Sequence, residues 1–238
     1  MGRSSQLDNS KDIHFMYIMR NKDLKSANET ILSLVENLPY FEIENLRTLK
    51  INTNYLRIAL SRLSKKGEII RLKKGVYVSK GFIEKTKAES NFSVFLEFLA
   101  SKIYPPSYLS LDYVLYENNI LTEIPQNFTS IAKNKTATIT NQFGIFIYHK
   151  IKDKLFLGFG TKRSGDFLIF KATKAKALFD FLYLRKNIIL NKDMAKELRL
   201  NLESFTTKEK KELKEYIDLE GSKKLREIYY FLFKPRYS

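Results

Sequence analysis

The segment from Asn52 to Gly67 restricts the fold more than any other part of the sequence. Its apolar residues recur at the spacing of one α-helical face, and they are Leu56, Ala59, Leu60 and Leu63. Polar and basic residues fall on the opposite side, and Gly67 suits the left-handed conformation that ends many helices. The pattern predicts an amphipathic helix whose outer face is free to meet another molecule.

A strand, a basic turn and a second strand are predicted directly after this helix. Residues 69–72 and 76–78 are rich in β-branched and aromatic side chains, and the basic turn Lys73-Lys74-Gly75 separates them. The chain therefore changes from helical to strand periodicity at Gly67. We expect a two-stranded hairpin that carries positive charge.

Two more helices are predicted upstream. Ser26 and Glu29 have capping-box spacing, and the apolar residues that follow give one helical face that ends at Pro39. A short helix over about 42–48 comes next. Three helices and a basic hairpin are the element order of a winged helix-turn-helix, which we expect over residues 26–80. Residues 1–25 form an N-terminal arm, for which a helix is one option.

Positive charge is concentrated in this part of the chain. The whole sequence has 42 basic and 26 acidic side chains, a net charge of +16. Ten of the basic ones lie in residues 47–80, where Glu68 is the only acid. Such an excess favours a polyanionic partner, because phosphates release counterions when they meet a basic surface. A basic surface that only keeps the protein hydrated is the alternative.

The outer face of the predicted helix has the residue types that read DNA. In a helix-turn-helix, the recognition helix enters the major groove with its N-terminal part against the base edges. Arg57 and Asn54 suit bidentate contacts to guanine and adenine, respectively. Tyr55 could reach DNA or anchor the core. The remaining candidates for DNA contact, mainly to phosphates, are Thr53, Ser61, Arg62, Lys65, Arg71, Lys73 and Lys74.

A larger α+β domain is predicted over residues 88–238. Residues 128–170 alternate polar and apolar side chains, as strands do. Helical patterns precede and follow them, at about 90–103, 110–118, 172–186, 192–200, 207–218 and 222–233. Ser110 is a candidate helix cap. Strands and helices in separate blocks favour an α+β domain over a doubly wound sheet.

No group of residues in the sequence indicates catalysis, a cofactor or a metal ion. The chain has no cysteine and two histidines, His14 and His149. The glycines near residue 160 fit neither the dinucleotide fingerprint nor the phosphate loop, and residues 162–166 indicate a hairpin turn instead. The alternating Lys150, Lys152 and Lys154 could place three charges on one strand face. We therefore expect that the protein is not an enzyme. The absence of cysteine also fits a cytoplasmic location.

Four segments of the sequence follow one another in a characteristic order. Residues 60–78 read LSRLSKKGEIIRLKKGVYV, and the other three segments are 104–125, 137–159 and 170–185. In this order they resemble the winged helix, a serine-containing run, the central strands and a later helix of the AbiEi family, antitoxins of type IV toxin–antitoxin systems that act in abortive infection. Tyr108, Ser110 and Asp180 lie in these motifs, as does Lys176-Ala177-Leu178. Packing and helix capping explain Tyr108, Ser110 and Asp180 as well as a functional role does.

The resemblance implies two functions. The winged helix would bind repeats, expected to be inverted, in the double-stranded DNA of its own promoter and repress the operon. The second domain would oppose a nucleotidyltransferase-like toxin without a stable complex. Two other interpretations stay open: a repressor with an unrelated sensory or oligomerisation domain, and a nucleic-acid-processing enzyme that docks through the winged helix.

Overall fold

The computed structural model describes residues 27–233. The predicted arm over 1–25 and Ser26 of the predicted capping box lie outside the described residues. The fold is mixed α+β, as the sequence predicts, with an N-terminal helical region followed by a larger sheet-plus-helix region. The chain divides into two compact units, Met1–Ser90 and Asn91–Ser238.

The first unit has the predicted order of helices and hairpin, and it also contains one further strand and one further helix. Helix α1 covers residues 27–35 in the described part and stops before Pro39. The later elements are strand β1 (Phe41–Glu42), a 3₁₀ helix (Ile43–Leu49), helix α2 (Thr53–Lys65), strands β2 (Ile69–Lys73) and β3 (Val76–Ser79), and helix α3 (Lys80–Ala88). The short middle helix is thus a 3₁₀ helix. Strand β1 and helix α3 were not predicted from the sequence.

Strand β1 connects the helical part of the unit to the hairpin. It pairs antiparallel with β3, so that Phe41 lies opposite Tyr77, and their rings stack with centroids 5.7 Å apart. Phe41 is fully buried in one core together with Ile31 and Leu46. The predicted inner face of α2 joins the same core, since Leu56, Ala59, Leu60 and Leu63 are each at most 2% exposed.

Backbone hydrogen bonds end α2 at the predicted glycine. Gly67 has a φ of +74°, the left-handed conformation that glycine adopts without strain. Its N–H donates to Ser64 O, and the N–H of Glu68 donates to Leu63 O at 3.0 Å. These two bonds form a Schellman motif, which satisfies carbonyls that the helix end leaves open. The chain then turns directly into β2.

The second unit is built on a six-stranded mixed sheet. Its strands are β4 (Ser107–Leu109), β5 (Phe128–Ala132), β6 (Ala137–Asn141), β7 (Gly144–Lys150), β8 (Phe159–Ser164) and β9 (Phe167–Ala172). Their order is β6-β7-β5-β4-β9-β8. The pairs β5–β7 and β4–β9 are parallel, and the other neighbours are antiparallel. Strand β4 is a further element that was not anticipated.

Six helices of the described part accompany this sheet near their predicted positions. They are α4 (Phe92–Lys102), α5 (Leu111–Glu117), α6 (Lys174–Arg185), α7 (Lys192–Glu197), α8 (Thr207–Glu220) and α9 (Lys223–Phe233). Helices α4 and α6 lie on opposite faces of the sheet. Tyr148 of β7 donates to Ala100 O of α4, whereas Tyr108 of β4 donates to Asp180 of α6. Because side chains alternate along strands, these two tyrosines point to opposite faces.

Candidate nucleic-acid interface

The start of α2 is fixed by an asparagine cap. Asn52 Oδ1 accepts a hydrogen bond of 2.9 Å from the backbone N–H of Asn54, which satisfies one of the open donors of the first turn. The side chains of Thr53 and Asn54 are both exposed. The N-terminal turn of α2 therefore has a fixed backbone and free polar side chains.

The outer face of α2 brings most of the predicted residues together. Side chains three and four positions apart share a helix face, and those at 54, 57, 61, 62 and 65 are all exposed. Arg57, Arg62 and Lys65 form no ion pair with another residue in the part of the chain that the structure describes. The positive charge of this face is thus available to an external anion.

Ile58 lies in the middle of the same face and was missed by the sequence analysis. Its side chain is 39% exposed, although isoleucine usually packs in a core. The sequence spacing could have identified Ile58, because residues four positions apart share a helix face. Position 58 follows Asn54 by four residues and precedes Arg62 by four. An exposed apolar side chain among groove-reading residues suits the methyl group of thymine. Tyr55, in contrast, is half-buried, and both of its predicted roles stay open.

The hairpin presents the remaining predicted residues. Strands β2 and β3 are joined by Lys74 and Gly75, and Gly75 has the left-handed φ of +82° that such a tight turn requires. Lys74 is exposed at this turn and Lys73 is half-buried. Arg71 is exposed, and its Nε donates to Lys73 O at 3.3 Å. The candidates on the hairpin are thus two exposed cations and a half-buried one.

Residues that were singled out in the second unit converge in its interior. Asp180 Oδ2 accepts hydrogen bonds from Ser110 Oγ at 2.8 Å and from Tyr108 Oη at 3.2 Å. Lys176 Nζ lies 2.7 Å from Asp180 Oδ1 and donates to Leu155 O at 2.9 Å. The side chains of Lys176 and Asp180 are fully buried.

This buried network is structural rather than open to a ligand. Burial raises the pKa of Asp180 and lowers the pKa of Lys176, and the attraction between the two groups opposes both shifts. Ser110 occupies the N-cap position of α5, but its side chain makes no cap hydrogen bond. The prediction that Ser110 caps this helix is therefore wrong, because its hydroxyl is committed to Asp180.

Three other observations bear on function. The prediction of three lysines on one strand face is wrong, because β7 ends at Lys150. Lys152 occupies the N-cap position of the 3₁₀ turn that follows, and Lys154 lies within that turn. Among residues 27–233, no group of three or more acidic or histidine side chains could hold a metal ion. In the same part of the chain, no helix has the length and apolar character needed to cross a membrane.

Comparison with known proteins finds a similarity within the first unit. Residues 29–80, which include α2 and the hairpin, match a family of transcriptional regulators. The family is described as "Transcriptional regulator, AbiEi antitoxin". The match ends at Lys80 and does not include the resembling segments of the second unit. No curated protein was found to match the chain.

Proposed function

We propose that this protein is an antitoxin that represses its own operon by sequence-specific binding to double-stranded DNA. The outer face of α2 carries the proposal: two arginines, a lysine and an exposed isoleucine share it, without ion pairs inside the described residues. The match of residues 29–80 to a family of transcriptional regulators supports the same conclusion.

The first unit would act as a winged helix-turn-helix. Helix α2 would enter the major groove, where Arg57 and Asn54 read guanine and adenine edges and Ile58 contacts a thymine methyl group. Lys74 at the hairpin turn, with Arg71, would hold phosphates and fix the register without reading sequence. Inverted repeats in the promoter would each accept one copy of the protein.

The second unit would counteract a nucleotidyltransferase-like toxin, in the manner of a type IV system that defends against phage. This half of the proposal rests on the family name and on the motif resemblance of residues 104–185. Because operator and toxin share the cell interior, the protein would act in the cytoplasm. A repressor with an unrelated second domain and a nucleic-acid-processing enzyme remain the alternatives.

A gel shift on the DNA upstream of the gene, with a salt titration, tests the DNA-binding function. We expect Arg57→Ala to lose about 1–3 kcal/mol of specific binding and to relax base preference at one position. Lys74→Ala should weaken specific and nonspecific binding alike and lower the salt slope by about 1, because it removes one phosphate contact.

Lys214→Ala is the matched control, since Lys214 is exposed on α8 of the second unit. It should bind as the wild type does. If Arg57→Ala and Lys74→Ala also behave as the wild type, the interface proposed on α2 and the hairpin is wrong.

A further inference from the structure

A cleft of about 930 Å³ opens in the second unit, and none of the residues assigned to DNA lines it. Ile147 and His149 of β7 line it. They alternate with the buried Phe146 and Tyr148, so their side chains point to the sheet face that carries α6. The volume lies within the range of about 300–1,000 Å³ that small-molecule sites occupy.

Arg185, at the end of α6, is held in a fixed orientation on one wall of the cleft. Its guanidinium carbon lies 3.7 Å from the centroid of the Phe181 ring. Its NH2 group donates to both carboxylate oxygens of Asp112, at 3.2 and 3.4 Å. NH1 also donates to Phe181 O at 3.5 Å. Among the described residues, Nε–H and a second N–H of NH1 have no partner. A pre-oriented fork with free donors suits a phosphate or carboxylate.

His149 adds a second polar group to the same wall. The side chain is half-buried and forms no hydrogen bond with another residue in the described part of the chain. Burial lowers the pKa of His149, and the charge of Arg185 lowers it further, against a smaller opposite effect of Asp112. These effects favour the neutral imidazole, which can offer one donor and one acceptor to a ligand.

Apolar side chains line part of the cleft, among polar ones such as Thr122 and Gln126. Leu121 and Pro125 line it from the loop that follows α5, and Leu198 lines it after α7. Together with Ile147 they form a surface for the uncharged body of a ligand. Glu123 and Glu197 lie at the exposed rim, where water and salt screen their charges from the interior.

We propose that this cleft binds a phosphorylated small molecule the size of a mononucleotide. Its phosphate would accept hydrogen bonds from Arg185 and His149, and its ring would lie against Ile147 and Leu121. The site belongs to the second unit alone. The proposal does not depend on the DNA-binding function, and failure of either leaves the other intact.

Isothermal titration calorimetry of the full chain at pH 7 tests the site with three probes: AMP, adenosine and inorganic phosphate. We expect AMP to bind with a dissociation constant below about 1 mM. Arg185→Gln should weaken AMP binding about tenfold or more, because it removes the charged fork. Arg163→Gln is the matched control, since Arg163 is exposed on β8 outside the cleft.

His149→Phe is a second variant. It keeps an aromatic ring at this position, removes both ring nitrogens, and leaves the pair of Arg185 and Asp112 intact. It should fold as the wild type does and also bind AMP more weakly. Adenosine that binds as tightly as AMP would contradict the phosphate contact, and inorganic phosphate that does so would contradict the apolar contact. The site is overturned if AMP does not bind, or if every variant binds it equally.

Discussion

At the scale of single residues, the outer face of α2 combines basic side chains with an exposed apolar one. Arg57 and Arg62 have no internal carboxylate partner among the described residues, and Ile58 between them is 39% exposed. Unpaired surface arginines cost little in water, because their charge remains hydrated. The exposed part of Ile58 gains nothing from burial in the fold. Both features become favourable only against a partner that offers phosphates and an apolar group, as DNA does.

Ile58→Ala should separate binding from stability. We expect specific DNA affinity to fall by about 1 kcal/mol, the lower end of what one base-pair contact contributes. The free energy of unfolding should change by less than about 0.5 kcal/mol, since the side chain is at the surface. Gel shifts and urea denaturation measure the two quantities.

Leu34→Ala is the control for Ile58→Ala, because Leu34 of α1 is similarly exposed, at 41%. Its DNA affinity should not change. An equal loss of affinity in both variants would mean that Ile58 makes no specific contact.

At the scale of elements, the junction between α8 and α9 is tied to the end of α6 by one carboxylate. Glu220, the last residue of α8, accepts a hydrogen bond of 2.6 Å from Lys186 Nζ and one of 2.8 Å from the N–H of Ser222. Burial alone would raise the pKa of Glu220, but these bonds and the charge of Lys186 lower it to about 2. The ionised form therefore stabilises this corner.

Glu220→Gln should lower the free energy of unfolding at pH 7 by about 1–3 kcal/mol. The pKa in the folded state is below that of the unfolded chain, so the stabilisation is complete above about pH 4.5 and is lost as the pH falls toward 2. Urea denaturation at pH 7 and pH 3 should show a smaller difference from wild type at the lower pH.

Glu215→Gln on the same helix is the control, since Glu215 is exposed. Its effect on stability should be small at both pH values. A Glu220→Gln difference that stays constant from pH 7 to pH 3 would contradict the assigned role of the carboxylate.

At the scale of the whole molecule, the chain consists of two units whose functional features rest on separate structures. The first unit has a core of its own, built around Ile31, Phe41 and Leu46. The second has the buried network of Lys176 and Asp180, which joins α6 to β4 and to the start of α5. Repression and toxin neutralisation should therefore be separable by point substitutions in the intact chain.

Two variants expressed from an unrelated promoter test this separation. Arg57→Ala should lose repression of an operator reporter and still rescue growth against the proposed nucleotidyltransferase-like toxin. Lys176→Met leaves the Asp180 carboxylate buried without its cation, so it should destabilise the second unit by about 3–5 kcal/mol and impair rescue. Its operator affinity should stay within about twofold of wild type.

Lys214→Met is the control in both assays, because this lysine is exposed. Loss of both activities in both variants would show that the two functions are not separable.

Much of the first unit could be predicted because its signals are local. The spacing of Leu56, Ala59, Leu60 and Leu63 defines the inner face of α2, since an α-helix repeats every 3.6 residues. Gly67 and Gly75 mark the helix end and the hairpin turn through their left-handed backbone. The same periodicity places Arg57 and Lys65 on the outer face, so the candidate interface could be predicted together with the helix.

Other features were decided only by tertiary structure. Strands β1 and β4 have two and three residues, too few to show periodicity, and they exist because a partner strand satisfies their backbone groups. The hydroxyl of Ser110 bonds a carboxylate 70 positions away rather than its own helix. The cleft of Arg185 and His149 likewise depends on the order of the strands. The sequence by itself determined the amphipathic helix and its basic outer face, because their hydrogen bonds and spacing are local; the buried network and the cleft depend on long-range packing.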